Sequence, residues 1–357
     1  MFIASSPFGL APMAGLTDTA FRRLVKRNGG CGLVVTEMVS AEGLVRGVGR
    51  TLEYAEFTDE ERPVAVQVFG GDPARMAAAA QVVEAMRADA VDVNMGCPVP
   101  KVAKGHAGCR LMREPDLAVA IVRAMTAAVT IPVTVKMRAG WNDREANAPD
   151  LARKLEQAGA AAIAVHGRTA EQSYSGRSDW DLIARVAAAV SIPVWGNGDC
   201  VEAGDLVRRV SQSSVAGVLV GRGVLRNPWV LAQAAALAAD LPPPRVDMRD
   251  RGEFLLVYMD LLLRGSEDEA AGSRHAAARA GRSSSVCSEA EYPPRGPEKD
   301  LPPRAAQGRE RWVINKLRAL AAWYTRGLEG GSHLRATINQ TESILDLRQT
   351  VAEFFRL

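Results

Sequence analysis

The sequence lacks several features that would assign a protein class at once. Lys and Arg number 44 against 41 Asp and Glu, and the net charge of +3 is too small to indicate a nucleic-acid partner by itself. Its five cysteines include no C-x-x-C pair, which argues against a zinc site or a disulfide framework. No segment approaches the roughly 18 unbroken apolar residues that span a bilayer, and residues 1–9 show no basic stretch before an apolar core. We therefore expect a soluble, cytosolic, monomeric protein without a metal or a membrane partner.

Short apolar runs recur along the first two thirds of the chain. Each run is β-rich, ends in polar or glycine residues, and is followed by a longer amphipathic segment with helical spacing. The runs are apolar on both alternations, which is typical of parallel strands covered by helices. Eight runs in about 220 residues predict a closed (β/α)8 TIM barrel, and an open doubly wound sheet of five or six strands is the alternative. The runs are residues 9–15, 31–38, 63–71, 90–96, 132–140, 161–168, 193–199 and 217–223.

The composition changes after residue 240. Residues 241–244 read as a break, and residues 252–263 predict a short helix. Residues 264–307 are rich in Ser, Arg, Ala, Glu and Pro and cannot bury enough apolar surface to offset their ordering entropy, so we expect a disordered insertion. Helical periodicity resumes from residue 309 to 357. The predicted organisation is a barrel domain over 1–240 and a small helical domain over 241–357, interrupted by the insertion.

Polar side chains end nearly every predicted strand, where the chemistry of a TIM barrel takes place. A buried polar group needs a partner, so the set predicts a ligand with many polar edges, although Gln67 or His166 alone could serve the core. Lys136 is expected near the middle of the mouth, where a cation can stabilise a reduced flavin, or else paired with Asp199. The strand-end residues are Met13, Glu37, Gln67, Asn94, Lys136, Arg138, His166, Arg168, Asn197, Asp199 and Arg222.

Glycines cluster after the last two predicted strands. In GNGD (196–199) and GRG (221–223) the backbone N–H groups can approach an anion beside Arg222. Loops after strands seven and eight commonly bind phosphate in this fold, and ordinary tight turns are the equal alternative. The run is not a G-x-G-x-x-G dinucleotide motif, because position 226 is Arg226.

One cysteine is predicted at the barrel rim. Cys97, in NMGCP, follows the fourth strand between a flexible glycine and a rigid proline. A thiol there can be a nucleophile or a proton donor, and the absence of an adjacent histidine favours the acid role. The other cysteines are expected in the core (Cys31), in loops or at helix starts (Cys109, Cys200) and in the insertion (Cys287).

Seven motifs in fixed order resemble the tRNA-dihydrouridine synthases, most closely the bacterial B-type branch. They are LAPMAGLTDTAFR, VQVFG, VDVNMGCPVPKV, VKMRAGW, VHGRT, GNGD and GRG-x-x-x-NPW. The resemblance runs from Leu10 to Val230, and WYTRGL after Leu320 is similar to the family's C-terminal helical domain. It implies an FMN-dependent TIM barrel that reduces the 5,6 double bond of uridines in tRNA, with NADPH as the usual reductant.

The resemblance also implies roles for individual residues. Cys97 would be the general acid that protonates C5 of uracil after hydride transfer from flavin N5 to C6, and Asn94 would face the base. The flavin would contact Pro12, Met13, Ala14, Gln67, Lys136 and His166. Its phosphate would be held by Asn197, Gly198, Asp199, Gly221 and Arg222.

The tRNA contacts that we expect are basic residues around the mouth and in the tail. The target base must leave its stack to reach the flavin, and cations can guide the phosphates, although a solvated rim is an equal alternative. The candidates at the mouth are Lys101, Lys104, Arg138 and Arg168. In the tail the candidate is Arg318, which Ala319 and Leu320 follow where the family often has an R-K-H cluster.

Two other functions remain open at this point. A flavin barrel that acts on free pyrimidines, such as a dihydroorotate or dihydropyrimidine dehydrogenase, would use the same hydride and proton chemistry. A non-catalytic RNA-binding barrel would keep the scaffold alone. The helical tail and Lys101 after Cys97 favour the tRNA enzyme over the first, and the intact Cys97, Lys136 and His166 argue against the second.

Overall fold

The computed structural model describes residues 4–264 and 303–357. Most of the predicted insertion 264–307, with Cys287, lies outside the described residues. The described residues at the two edges of the predicted insertion are helical: Arg264 is the last residue of one helix, and residues 303–307 begin the next.

Eight parallel strands close into a barrel, as predicted. The strands are β1 Phe8–Leu10, β2 Leu33–Val35, β3 Val39–Ser40, β4 Val64–Phe69, β5 Ala90–Met95, β6 Val133–Arg138, β7 Ala162–His166, β8 Val194–Asn197 and β9 Gly217–Val220. The sheet runs in the order β2-β1-β9-β8-β7-β6-β5-β4-β3, and pairing of β2 with β4 completes the ring. The short β3, which no predicted run includes, also pairs with β4, so β2 and β3 together form one side of the barrel. Each predicted run overlaps one of the other eight strands, and the open-sheet alternative is excluded.

Helices cover the outside of this barrel. The helix Pro73–Ala85 shows how the sequence encodes them: the Asp72 side chain caps it by accepting from Arg75 N at 2.7 Å, and its buried residues recur at helical spacing, namely Met76, Ala79, Ala80 and Val83. The barrel helices are Thr19–Arg27, Ala41–Val45, Gly49–Ala55, Pro73–Ala85, Pro100–Ala103, Pro115–Ala128, Ala148–Gln157, Trp180–Ala189, Ala203–Gln212, Arg222–Arg226 and Val230–Ala238. Short 3₁₀ turns occupy Asp59–Glu61, Gly108–Arg113 and Asp143–Glu145.

A second apolar cluster, separate from the main core, surrounds one large ring in the barrel. Trp195 packs there with Leu33, Val35, Ala65 and other aliphatic side chains. Gly217 makes room for this ring, because a Cβ atom at that position would lie 2.6 Å from it. The register then places strand-end residues side by side, with Asn94 opposite Lys136, Arg138 opposite His166, and His166 opposite Asn197.

In the described residues after the barrel there are four helices: Met248–Arg264, Pro303–Tyr324, Gly331–Gln340 and Ile344–Phe355. The first begins before the predicted residue 252, because Asp247 and Asp250 each accept a hydrogen bond from the other's backbone N–H at 2.9 Å. Phe21 of the barrel packs edge-on against Phe254 and Tyr258, and the buried residues of both parts form one continuous core. Within the described residues, no helix is long and apolar enough to cross a membrane.

Candidate active site

A chain of buried amides connects the ends of β4 and β5. Gln67 Nε2 donates to Asp92 Oδ2 at 2.7 Å, and Asn94 Nδ2 donates to Gln67 Oε1 at 2.7 Å. Thr134 on β6 donates its hydroxyl to Asp92 Oδ1 at 2.6 Å. Burial raises the pKa of Asp92, and the hydrogen bonds from Gln67 and Thr134 oppose that rise. Hydrogen bonds therefore link the predicted mouth residues Gln67 and Asn94 to the buried carboxylate of Asp92.

Cys97 lies on the turn after β5 and is held through its backbone. Its N–H donates to Asn94 Oδ1 at 3.0 Å, its carbonyl accepts from Cys109 N at 3.0 Å, and the adjacent Gly96 carbonyl accepts from Arg138 Nε at 2.7 Å. Of the four cysteines that the structure describes, Cys97 alone is half-buried. The others are buried, and burial raises the pKa of Cys31 to about 11, of Cys200 to about 12 and that of Cys109 above its ordinary value. Cys97 is the described thiol best placed to reach a ligand.

Lys136 is half-buried at the end of β6. Its Nζ donates to Asn197 Oδ1 at 3.2 Å, and Asn197 is itself fixed by donating Nδ2 to Leu219 O at 2.6 Å. Lys136 therefore binds Asn197, not the Asp199 carboxylate of the alternative. Burial, with Arg138 nearby, lowers the pKa of Lys136 to about 8, so the site holds a cation whose charge is readily lost.

His166 is the neutral member of this group. It is 7% exposed, and burial together with the positive charges around it lowers its pKa to about 2. Its Nε2 lies 3.4 Å from Arg168 Nη1, so Nε2 acts as the acceptor and Nδ1 carries the proton. A neutral imidazole cannot act as a cationic acid near neutral pH.

The predicted phosphate corner is built around Asp199. Its carboxylate accepts from Arg168 Nη2 at 2.7 and 2.9 Å and from Ser178 N at 2.6 Å, and Arg222 Nη2 lies 3.6 Å away. Although partial burial opposes it, these partners hold the pKa of Asp199 below its ordinary value. Gly198 has a φ of 125°, a backbone conformation that a residue with a side chain adopts only with strain. The charge of the Asp199 carboxylate is thus balanced mainly by the buried Arg168. Arg222 remains half-exposed.

The structure corrects the expected exposure of two arginines. Arg138 and Arg168 are 3% and 2% exposed. Arg138 donates to the carbonyls of Thr169 and Ser173 at 3.0 and 2.9 Å, and Arg168 donates to those of Ser175 and Gly176 at 3.0 and 2.7 Å. Their guanidinium groups hold the loop after β7, so neither presents a free charge at the rim.

The remaining predicted residues lie around this centre. Lys101 and Lys104 are exposed, next to the Cys97 turn. Arg318 is half-buried and donates to Thr341 O at 2.8 Å, which ties two C-terminal helices together. In the loop after β1, Pro12 and Met13 are half-buried and Ala14 is exposed. Met13 Sδ lies 3.2 Å from where a Cβ atom of Gly221 would be.

Comparison with known proteins assigns the family. The model of the family described as "Dihydrouridine synthase (Dus)" matches residues 9–291, which is more than half of the chain. The chain belongs to the dihydrouridine synthase family. The "Probable tRNA-dihydrouridine synthase" of Rhodobacter capsulatus is 45% identical over 260 residues, covering 72% of this chain and 80% of that one.

Other dihydrouridine synthases match over different lengths. The "Probable tRNA-dihydrouridine synthase" of Rickettsia prowazekii is 34% identical over 353 residues, covering 98% of this chain and 95% of that one. The "tRNA-dihydrouridine synthase B" of Xanthomonas campestris pv. campestris is 40% identical over 238 residues, covering 66% and 71%. The solved structure of histamine dehydrogenase from Rhizobium sp. 4-9 has a TM-score of 0.52 at 12% identity, covering 72% and 49%, and supports the fold alone.

Sequence reasoning missed a buried junction in this dihydrouridine synthase. Lys316 of the tail helix Pro303–Tyr324 lies 3.0 Å from Asp18 Oδ2 and 3.4 Å from Glu37 Oε1, and it donates to Gly15 O at 3.0 Å. Tyr258 OH also donates to Asp18 Oδ2, at 2.8 Å. Although burial opposes it, the two carboxylates raise the pKa of Lys316. The C-terminal helices are thereby fixed to the loop after β1.

Tyr174 is a second residue that the motifs did not indicate. It is 60% exposed on the loop after β7, with the Arg222 and Arg138 guanidiniums 4.9 and 5.9 Å from its ring centre. The sequence offered only an aromatic residue in a short polar loop as a signal. In the described part of the chain, no group of three or more His, Cys, Asp or Glu residues could hold a metal ion.

Proposed function

We propose that this dihydrouridine synthase reduces uridines of tRNA to 5,6-dihydrouridine, with FMN as its cofactor, NADPH as electron donor and Cys97 as general acid. The observation that carries the proposal is the half-buried Cys97 thiol on the turn after β5, next to the strand β6 that carries Lys136. Family membership supports the reaction class. The names of the relatives given above include tRNA, which supports tRNA as the substrate.

The donor set of the mouth fits FMN. Among the described residues, Lys136 makes a single hydrogen bond, to Asn197, so two of its N–H groups remain for a polar ring edge. The half-exposed Arg222 and the backbone at Gly198, whose positive φ glycine adopts without strain, suit a phosphate. In this proposal Gln67 and Lys136 hold the ring edge, and His166 lies near it as a neutral partner. Pro12, Met13 and Ala14 line the ring, and Asn197, Gly198, Asp199, Gly221 and Arg222 hold the phosphate.

The protein contributes proton transfer and positioning. When bound, the reduced flavin supplies the hydride that adds to C6 of uracil. The Cys97 S–H then gives its proton to C5, which completes the addition of two hydrogens across the double bond. His166 is neutral near pH 7 and therefore cannot take over this acid role. Asn94, which faces the base by family resemblance, also accepts the Cys97 N–H and so fixes the turn that carries the thiol.

Recognition of tRNA belongs to the exposed cations and the C-terminal helices in this proposal. Lys101 and Lys104 are exposed beside the Cys97 turn and can bind phosphates. Arg138 and Arg168 act indirectly, by shaping the loop after β7. Residues 1–240 form the catalytic barrel and residues 241–357 the tRNA-binding part, with Arg318 within it. A monomer in the cytoplasm completes the proposal.

Removing the Cys97 thiol tests the mechanism. With NADPH and tRNA that lacks dihydrouridine, Cys97→Ala should form dihydrouridine at least about 100-fold more slowly than wild type, because general acids contribute roughly 10² to 10⁴ in rate. Dihydrouridine is counted by mass spectrometry of the digested tRNA. FMN content and tRNA affinity should not change.

Cys109→Ala is the matched control, because Cys109 is a buried neighbour whose N–H binds the Cys97 carbonyl. It should retain most of the activity. Equal rates for wild type and Cys97→Ala would contradict the assignment of the acid.

A further inference from the structure

Asp92 is a buried carboxylate that the proposed mechanism does not use. It is 4% exposed on β5, and each of its oxygens accepts one hydrogen bond, from Thr134 and from Gln67. Removing a carboxylate from water is costly, so a buried one needs an explanation. The explanation lies in the direction of the hydrogen bonds that lead away from it.

Those hydrogen bonds form a directional chain of donors and acceptors. The N–H groups of Gly96 and Cys97 donate to Asn94 Oδ1 at 3.2 and 3.0 Å. Asn94 Nδ2 donates to Gln67 Oε1, and Gln67 Nε2 donates to Asp92 Oδ2, both at 2.7 Å. Backbone N–H groups can only donate, whereas at the other end both oxygens of Asp92 accept, from Gln67 and from Thr134. The two ends of the chain therefore differ in kind.

Between such ends, each amide has one orientation that satisfies all its bonds. Turning Gln67 over would place its oxygen against the Asp92 carboxylate and its NH2 against the Asn94 NH2. Turning Asn94 as well would place donors against the Cys97 N–H. Gln67 and Asn94 are 1% and 8% exposed, so water does not readily replace these partners.

We propose that Asp92 is a positioning residue that orients Gln67 and Asn94 and thereby holds the Cys97 turn in place. The inference rests on the proposed function for its catalytic meaning, since Cys97 is the acid there. It links the carboxylate, two side chains away, to the thiol that delivers the proton. The same hydrogen bonds fix the orientation in which the Gln67 amide meets the edge of the flavin ring.

Hydrogen exchange in the flavin-free protein tests the chain directly. In Asp92→Ala, exchange of the Gly96 and Cys97 amides should be roughly tenfold faster, because the chain loses its terminal acceptor. The rate of alkylation of Cys97, followed on its own peptide, should change with it. In the loaded enzyme kcat for tRNA should fall about tenfold while KM stays within about twofold, because no phosphate contact is altered.

Two matched variants separate orientation from packing. Thr134→Val removes the other hydrogen bond of the same carboxylate at the same depth of the barrel and should leave the exchange of both amides unchanged. Asp92→Asn can keep an oxygen facing Gln67 while its NH2 donates to the Thr134 hydroxyl, so its exchange rates should stay close to wild type. Gln67→Met cuts the chain at its middle and should speed exchange as Asp92→Ala does, which serves if Asp92→Ala does not fold.

Each alternative result has a distinct meaning. Unchanged Cys97 exchange in a folded Asp92→Ala or Gln67→Met overturns the proposal. If amide exchange is accelerated equally in Thr134→Val, the effect comes from core packing. If it is accelerated equally in Asp92→Asn, the effect comes from the charge. Either result overturns the proposal. The exchange results do not depend on turnover, so a wild-type protein that fails to reduce tRNA would refute the proposed function and leave this test intact.

Discussion

At the residue scale, Lys136 and His166 show how burial chooses a charge state. Both lie at strand ends in the same mouth, and burial lowers the pKa of each. The consequence differs because their ordinary values differ. With a pKa of about 8, Lys136 remains largely cationic at neutral pH. With a pKa of about 2, His166 is neutral throughout the working range.

The charge of Lys136 predicts a pH-dependent affinity for FMN. Lys136 is charged below a pH of about 8 and neutral above it, so FMN binding should weaken as the pH rises through that value. Lys136→Met should bind FMN more weakly at pH 7 and show no such fall. Quenching of flavin fluorescence measures both. Lys154→Met, which alters an exposed lysine on a barrel helix, should follow the wild-type profile, and a parallel fall in Lys136→Met would contradict the assignment.

The neutral His166 predicts a loss of stability in acid. Its pKa is about 2 in the folded chain and ordinarily 6.5, so below pH 6.5 the unfolded state binds the extra proton and is favoured. The free energy of unfolding should therefore fall by on the order of 1–2 kcal/mol between pH 7 and 5 from this group. Urea unfolding of wild type and His166→Gln at both pH values measures it. The variant should lose less stability than wild type, and identical losses would refute the neutral state.

At the scale of elements, a buried junction joins the tail helix Pro303–Tyr324 to the loop after β1. Lys316 carries the only positive charge that the structure places against Asp18 and Glu37 by an ion pair, within the described residues. Asp18 has two tasks, since Oδ1 caps the helix Thr19–Arg27 through Phe21 N at 3.0 Å while Oδ2 accepts from Lys316 and Tyr258. The junction therefore links the tail to the loop that is proposed to line the flavin.

Breaking this junction should be strongly destabilising. Lys316→Met leaves two carboxylates buried without their cation, and the free energy of unfolding should fall by about 3–5 kcal/mol. Arg348→Met removes a half-exposed ion pair with Asp260 in the same helical part, and its cost should stay below about 1 kcal/mol. Urea unfolding compares the two. Equal losses would show that the buried junction contributes no more than a surface pair, and FMN affinity should fall only in Lys316→Met.

At the scale of the whole molecule, the barrel was predictable and the junctions were not. Runs with apolar residues on both alternations identify all eight barrel sides, because parallel strands are buried on both faces. The burial of Arg138 and Arg168 was not predictable, because their partners are carbonyls on a loop whose path depends on folding. Lys316 lies 298 residues from Asp18 in sequence (316 minus 18), and local spacing gives no sign of such a partner.

The same limit applies to the site. The motifs indicated Gln67, Asn94 and Cys97 one by one, but the hydrogen bonds that link them to one another and to Asp92 depend on how β4 and β5 pair. Membership of the dihydrouridine synthase family rests on the family match and the relatives. The helical tail shares one core with the barrel, so point variants at the junction probe it more cleanly than truncation at residue 241.

The most direct test of the proposed function is the rate at which NADPH-reduced protein is reoxidised without oxygen. The purified protein is reduced, excess NADPH is removed, and flavin absorbance is followed after adding tRNA that lacks dihydrouridine, fully modified tRNA or free uridine. We predict rapid reoxidation with the tRNA that lacks dihydrouridine and with neither the fully modified tRNA nor free uridine. A reduced flavin that ignores the tRNA lacking dihydrouridine and reacts with the free pyrimidine would contradict the proposed function, as would a purified protein that binds no flavin.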